Sequence, residues 1–545
     1  MSEAFKILVG IFLSANLCAW ANSQCGTDWL RNHSKPPQSQ AAKRSVSLFS
    51  TTNCEPEFYF DSTKVLERET VHFRIYYVLD GPHATTEIFI DSLTESLENA
   101  WNFHIQKRRA KIPKGANPTW HYKKSGDESR YPVEVIDLSL MRNNAEYFGG
   151  FCPACLGVTF PPDARNALAT EILIDNDFLY PDESSLAGFF RDPHCRYPKA
   201  DKAIINATTG KNYKDRFGEA LRITTVHEFY HAIQAMYLNF FDYTSYWLEA
   251  SATAAEELAY PEVNDYWAYL PSFFRSAGTP FNEITSDYGL AIWGLYNAVN
   301  IDSLLDIRLW ERLSQDPNLP FESVFANELI ERELDPDSVF WDFASRIFFS
   351  GSRARAADSS LYFSNDFPHW PEAPPLRSAT TGVVSLTPPA FDFIQITDDS
   401  IPDLSQFQGK AGIALYGDRQ KAAFYSLDTI SVAAIAPLIN HSENAVLILS
   451  RLQENSETIF VKDTLPMRVY PNPWRGETPL CFAGLPEDRH FVEIRTRVGK
   501  LIKRFPYAGS QLCLEVEDLK SRMAPGLYVF RAGSQSRTKP FLVIY

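Results

Sequence analysis

The sequence predicts an α+β domain followed by two small all-β domains. Three observations carry that expectation. Between residues 70 and 260 the apolar pattern runs strand, helix, strand, strand and then a long helix, the order of an α+β fold. Pro368, Pro371, Pro374 and Pro375 crowd into a composition break that reads as a stiff linker. Beyond it only short alternating runs remain, such as FDFIQI, GIALYG and AVLILS, separated by turn residues as in a β-sandwich. With 545 residues, 45% of them hydrophobic, the chain can bury several cores.

The elements follow in order. Lys6 precedes an apolar stretch, Ile7 to Leu17, and then Ala19-Trp20-Ala21. That is the pattern of a secretory signal peptide over residues 1–21, cleaved before Asn22, and it implies a secreted or cell-surface location. The stretch is too short to span a membrane, and no later one is long enough. Residues 22–60 are polar and rich in Pro and Ser, an irregular leader tied down by a disulfide. A first domain is placed at 61–362. It opens on a strand from Val71 to Leu79 and a helix from Thr85 to Trp101, where Ile88, Leu93, Leu97 and Trp101 share one face. Strands follow at Tyr131–Leu138 and Ala169–Ile174. A long helix runs from Phe217 to Phe240, and a second from Leu248 to Ala259, stopped by Pro261. Further helices fill the region to Phe349, one of them starting at Asp335-Pro336. A β-sandwich is expected over 376–465 and a further small β-domain over 466–545.

The formal charge of −15 argues against binding nucleic acid or an anionic membrane through charge alone. Eight cysteines fit export to an oxidising compartment. Cys18 leaves with the signal peptide, and Cys25–Cys54 and Cys481–Cys513 are the preferred bridges, each within one proposed unit. Among Cys152, Cys155 and Cys195, a structural disulfide between two of the three is favoured over a redox pair or a metal knuckle.

One constellation carries chemistry. His227-Glu228-Phe229-Tyr230-His231 matches HExxH, and residues four apart stack on one helix face, so both imidazoles reach a single ion. Glu228 then lies beside the open coordination position, where it can take a proton from water. Catalytic zinc needs a third protein ligand. Glu249 offers it: 17 residues intervene after His231, enough for one helix to end and a second to return. No histidine follows His231 until His369, so the expected ligand set is His227, His231 and Glu249 around one Zn2+. Glu256 and Glu257, two turns beyond Glu249, are candidate acceptors for the ligand imidazoles. Tyr288 is the candidate donor to the developing oxyanion, with Tyr230 and Tyr243 as alternatives. Asp175-Asn176-Asp177 is either a calcium site or an acidic turn.

On these residues the sequence resembles the gluzincin peptidases, which share HExxH and a downstream glutamate on a second helix. It is more similar still to a group of secreted bacterial metalloproteases through Val226–Gln234 (VHEFYHAIQ), Trp247–Ala252 (WLEASA) and Glu257–Trp267 (ELAYPEVNDYW). The resemblance spans roughly residues 65–350. It implies a zincin-like catalytic domain, with a mixed sheet, an active-site helix and a helical C-terminal subdomain. The activity implied is zinc-dependent hydrolysis of protein or peptide bonds, with Glu228 as general base. Ala250 stands where many gluzincins carry glycine, and the spacing to Glu249 is slightly shorter. The last domain opens on Val469-Tyr470-Pro471-Asn472-Pro473-Trp474 and closes on GLYVF and KPFLVIY. It resembles the Ig-like sorting domains of type IX secretion substrates, which implies secretion machinery as a partner and an association with the outer membrane. Two rival readings are a binding protein on an inactive peptidase scaffold and a zinc hydrolase of a non-peptide substrate. An inactive scaffold would be free to lose His227, Glu228, His231 or Glu249, and all four are present.

Overall fold

The structure is a computed structural model. Apart from short gaps it describes residues 62–138, 155–161, 168–178, 204–206, 211–212, 216–238, 246–453 and 468–543. The signal and leader segments, Cys25, Cys54, Cys152, Cys195, Tyr243 and Pro471 to Trp474 lie outside the described residues. The chain divides into two compact units. The first comprises Met1–Ala268 with Asp306–Pro317, and the second Tyr269–Leu305 with Asn318–Tyr545.

The first unit is built on a mixed sheet. Strands β1 (Leu66–Glu69) and β2 (Phe73–Tyr77) form an antiparallel pair. Helix α1 (Glu87–Trp101) follows, its first turn capped by the Thr86 hydroxyl, which accepts the Phe89 N–H at 3.2 Å. Then come β3 (Lys114–Gly115), β4 (Tyr131–Ile136), β5 (Gly157–Phe160) and β6 (Ala169–Asp175). The order is β1-β2-β4-β6-β3, with β5 also paired to β6. Strands β2, β4, β6 and β3 run parallel, whereas β1 and β5 are antiparallel to their neighbours. Every residue of β4 and β6 is buried, which is why both read as near-continuous apolar runs. A short ladder joins β7 (Ile204–Asn206) and β8 (Lys211–Asn212).

Helices α2 (Phe217–Gln234) and α3 (Trp247–Ala259) complete this unit's core. Phe229 of α2 packs edge-on against Phe73 of β2 and Tyr131 of β4 at 5.2 and 5.8 Å, so the odd-numbered face of those strands looks at α2. Helix α2 ends six residues before the expected Phe240. The amides of Met236 and Tyr237 bond to the carbonyls three residues back, which tightens the last turn and breaks the α-helical ladder. Strands β1 and β5 are elements the apolar pattern did not reveal, because four-residue strands give too little alternation to read.

The second unit begins with α4 (Leu270–Arg275) and α5 (Ala291–Asn300). Helix α6 (Leu305–Gln315) belongs, after its first residue, to the first unit. Helices α7 (Phe321–Glu331) and α8 (Pro336–Ile347) follow, α8 starting with Asp335 at the cap and proline in the first turn, as the sequence indicates. Next come β9 (Ala390–Gln395), β10 (Lys410–Gly417), β11 (Gln420–Ser426), α9 (Val432–Asn440) and β12 (Asn444–Arg451). The strands form one antiparallel sheet, order β11-β10-β12-β9.

The expected two-sheet sandwich over 376–465 is therefore corrected to a single sheet covered by helices. Ile435 and Ile439 of α9, one helical turn apart, join the core of Ile394, Ile413 and Leu447. The sheet's other face meets α8, whose Trp341 indole donates to the Ile448 carbonyl at 2.9 Å. The proline cluster is also more than a linker. Phe367 and Trp370 stack within it at 4.4 Å and are fully buried against neighbouring aromatics, so this segment is part of the unit's core.

The last module is a sandwich, as expected. Its strands are β13 (Arg468–Tyr470), β14 (Leu480–Ala483), β15 (Phe491–Thr496), β16 (Leu501–Pro506), β17 (Gln511–Leu514), β18 (Gly526–Ala532) and β19 (Lys539–Val543). One sheet runs β13-β14-β17 and the other β16-β15-β18-β19, both antiparallel. Leu480, Phe482 and Leu514 of the first pack on Val492, Ile494 and Phe530 of the second. The expected Cys481–Cys513 disulfide joins facing residues of β14 and β17. Among the described residues no helix is long and apolar enough to cross a membrane.

Glu493 of β15 has a fully buried carboxylate, bonded by Arg495, Arg504 and Arg531. Burial pushes its pKa up, but the three guanidiniums outweigh that and bring it down to about 2. Arg531 also pairs with Glu333 at the α7–α8 turn, which ties the sandwich to the rest of the second unit. A carboxyl with a depressed folded pKa adds stability above its unfolded value, and that stability is lost as the pH falls toward 2. Glu493→Gln is therefore expected to lower the denaturation midpoint at pH 7. The gap to wild type should shrink between pH 4.5 and 2 in a urea titration series.

Candidate metal centre

Helix α2 brings His227 and His231 onto one face, and α3 places Glu249 opposite them. The His227 and His231 Nε2 atoms lie 3.0 Å apart. Glu249 Oε2 lies 3.1 Å from His227 Nε2, and Glu249 Oε1 lies 3.3 Å from His231 Nε2. All three residues are buried. Helical spacing accounts for the imidazole pair, and the packing of α3 against α2 accounts for the carboxylate.

The outer nitrogens settle the ring orientation. His227 Nδ1 meets the Glu256 carboxylate at 2.6 Å. His231 Nδ1 meets the Gln234 side-chain oxygen at 2.7 Å. Gln234 donates from its amide nitrogen to the Leu248 carbonyl at 3.0 Å, so its oxygen is an acceptor and His231 Nδ1 must carry the proton. Glu256 is likewise an acceptor for His227 Nδ1–H. Rings held this way turn their Nε2 atoms toward each other and toward Glu249. The three donor atoms converge closely enough to share one cation. Among the described residues no donor bonds the buried Glu249 Oε1, which leaves it a lone pair for such an ion. The donor set fits zinc: two imidazoles and one carboxylate is the composition of a catalytic site with an open position.

Burial pushes Glu249 up, but the adjacent His231 and His227 outweigh it and hold its carboxyl well below the usual range. Glu256 moves the other way: burial raises it to about 7, opposed by the bond from His227 and aided by Asp265 and Glu249. Glu228, also buried, follows His227 on α2 and accepts from the Thr159 hydroxyl at 2.8 Å.

The back of α2 is braced by a polar network. Asp306 Oδ2 accepts from the Tyr230 hydroxyl at 2.7 Å and from Arg108. The His104 ring stacks on Tyr230 at 4.8 Å, and its Nε2 donates to the Val226 carbonyl at 3.0 Å. Burial, reinforced by Arg108, keeps His104 neutral. Tyr230 is therefore committed to the scaffold, which removes it as an alternative oxyanion donor. Tyr288 is a buried residue of the second unit, its ring stacked on Tyr269 at 4.8 Å.

Of the two carboxylates expected behind the ligands, Glu256 is the one that takes His227. Gln234 and Thr159 were not anticipated. Gln234 sits three residues after His231, a spacing that could have marked it as a neighbour on the helix. Thr159 comes from β5, and nothing in the sequence links it to α2. Cys155 is disulfide-bonded, and Cys152 and Cys195 lie outside the described residues. In the Asp175 cluster, both Asp175 oxygens accept backbone amides, from Leu138 and Phe178, each at 2.8 Å. Those bonds give the cluster a role in holding loops.

His121, Glu134 and Glu171 form a second group of converging donors. Here the carboxylate oxygens are engaged by one loop. Both oxygens of Glu171 face the Trp120 amide at 3.0 Å, and Glu134 accepts the His121 and Tyr122 amides at 3.0 and 2.7 Å. Burial pushes Glu171 well up, with the Glu134 charge adding to it, while the His121 bonds hold Glu134 down despite its burial. Two buried carboxyls clasping three successive amides are a fastening for the loop over the sheet.

No protein-family model matches the chain, and no curated protein matches it. Among solved structures there is a similarity to PorZ, described as an essential surface component of the type IX secretion system of Porphyromonas gingivalis. It amounts to 24% identity over 18% of this chain and 14% of that one, with a TM-score of 0.14. An overlap that small carries no argument about fold or function.

The brace behind α2 is testable. Removing Asp306 leaves the buried Arg108 without its carboxylate, a change that costs about 3–5 kcal/mol where a buried pair is broken. Asp306→Ala is expected to lower the melting temperature markedly, and Asp306→Asn less so, in differential scanning calorimetry of the full chain.

Proposed function

We propose that this protein is a zinc-dependent endopeptidase of the gluzincin type, acting outside the cell. The observation that supports this best is the convergence of His227 Nε2, His231 Nε2 and a Glu249 oxygen, with both outer ring nitrogens engaged by Gln234 and Glu256. Helix α2 sets the imidazole pair and α3 sets the carboxylate. Zinc, once held there, supplies a Lewis acid that lowers the pKa of water toward neutrality. Glu228, the residue after His227 on α2, is buried with its carboxylate tethered, which suits a base that takes a proton from the attacking water. The same side chain can hand that proton to the leaving amine. Glu256 and Gln234 hold the outer ring nitrogens and fix the ring planes, so neither ring has to reorganise during the reaction.

The mixed sheet under the helix pair is consistent with a zincin-like catalytic unit. The C-terminal sandwich carries the features that make its sequence similar to type IX sorting domains, and we assign it a part in export on that ground. This adds secretion machinery to a protein or peptide substrate as the partners of the chain.

The test is metal analysis with a matched activity assay. Purified wild type should hold about one zinc per chain and cleave casein, and chelation should stop the cleavage. Glu228→Gln should keep the metal and lose at least about a hundredfold in rate, the scale expected when a general base is removed. Glu249→Ala should lose the metal. A wild type without zinc would end the proposal. Zinc with no cleavage of casein or of a random peptide library would redirect it to a non-peptide substrate or a binding role.

A further inference from the structure

Strand β5 runs beside α2, and two of its residues meet Glu228 from the sheet side. Gly157 and Thr159 are two apart, so both point to the same face of the strand. Their partners on β6 are Ile174 and Ile172, and this face looks at α2. The Thr159 hydroxyl lies 2.8 Å from Glu228 Oε2 and 2.7 Å from the Glu228 backbone carbonyl. At Gly157 an added Cβ would stand 2.7 Å from Glu228 Cγ and 3.1 Å from its Oε1. It would also meet Thr224 Cγ2, one turn earlier on α2, at 2.7 Å. Only a residue without a side chain lets β5 approach so closely.

We propose that Thr159 is a positioning residue for Glu228, holding its carboxylate from β5 while Gly157 gives it room. The inference rests on the peptidase reading above. A glutamate has three side-chain torsions, and a free one would sample many positions around the open face of the site. The single Thr159 hydroxyl proton lies within reach of both Oε2 and the Glu228 carbonyl, so the two acceptors share it and the carboxylate is held against its own helix backbone. Oε1 lies on the Gly157 side. Burial excludes bulk solvent from this contact, so the hydrogen bond to the charged group is strong. A β-branched threonine suits the task because its rotamers are few on a strand. The base is thus aimed by an element distant in sequence from the helix that carries it.

Two measurements test this. In the first, Thr159→Val, Thr159→Ser and Gly157→Ala are compared with wild type for zinc content and casein hydrolysis. Thr159→Val keeps the shape and loses the hydroxyl. It is expected to lower kcat about 10- to 100-fold with KM and zinc content unchanged. Thr159→Ser, which keeps the hydroxyl, should recover most of the loss, and Gly157→Ala should lower kcat by displacing the carboxylate. An unaltered kcat in Thr159→Val, or equal losses in the Val and Ser variants, would overturn the proposal. The second measurement needs no activity. Melting temperatures are taken for Thr159→Val, Glu228→Ala and the double variant. If the two side chains are coupled, the effect of Thr159→Val falls by about half or more once Glu228 is absent. Equal effects in both backgrounds would reject the contact. Should wild type bind zinc yet cleave nothing, the peptidase reading fails, and the melting cycle still decides whether Thr159 holds Glu228.

Discussion

Convergence of three buried donor atoms is the constraint around which the first unit is organised. Two imidazole nitrogens lie 3.0 Å apart with a carboxylate oxygen beside them, and each ring is gripped from behind. Gln234 cannot flip without losing its bonds to the Leu248 carbonyl and the Ser251 hydroxyl of α3, and Glu256 approaches His227 at 2.6 Å.

That rigidity depends on packing around α2 on all sides. On the sheet side, Phe229 fits between Phe73, Tyr131 and Trp101. On the far side, Tyr230, His104, Arg108 and Asp306 form a closed network that fixes the helix in rotation. Asp306 comes from α6, a segment that returns to the first unit between two stretches of the second. Phe229 and Tyr230, between the two histidines, thus serve the scaffold, while both imidazoles face Glu249.

The second unit is organised differently. Its helices and its four-stranded sheet share an aromatic interior, with Trp293, Phe340, Phe343 and Phe391 in mutual contact. The C-terminal sandwich is linked to it by charge, through Glu493, Arg531 and Glu333. A buried carboxylate with three guanidiniums makes that link strongly dependent on geometry.

Local sequence determined the helices, the central strands and the pairing of two histidines on one helix face. Their signals are local: a 3.6-residue period for α1, continuous burial for α2, β4 and β6, and the four-residue step from His227 to His231. The spacing to Glu249 was legible as well, because a helix return needs a minimum of chain. Only the tertiary structure decided what steadies those residues. Thr159 reaches Glu228 across 69 positions, and Asp306 reaches Tyr230 across 76. It also decided that residues 376–465 form one sheet under helices, since a helix of nine residues among strands leaves too short a period to stand out. Contacts of that kind depend on which surfaces meet after folding, and no local pattern of residues encodes them.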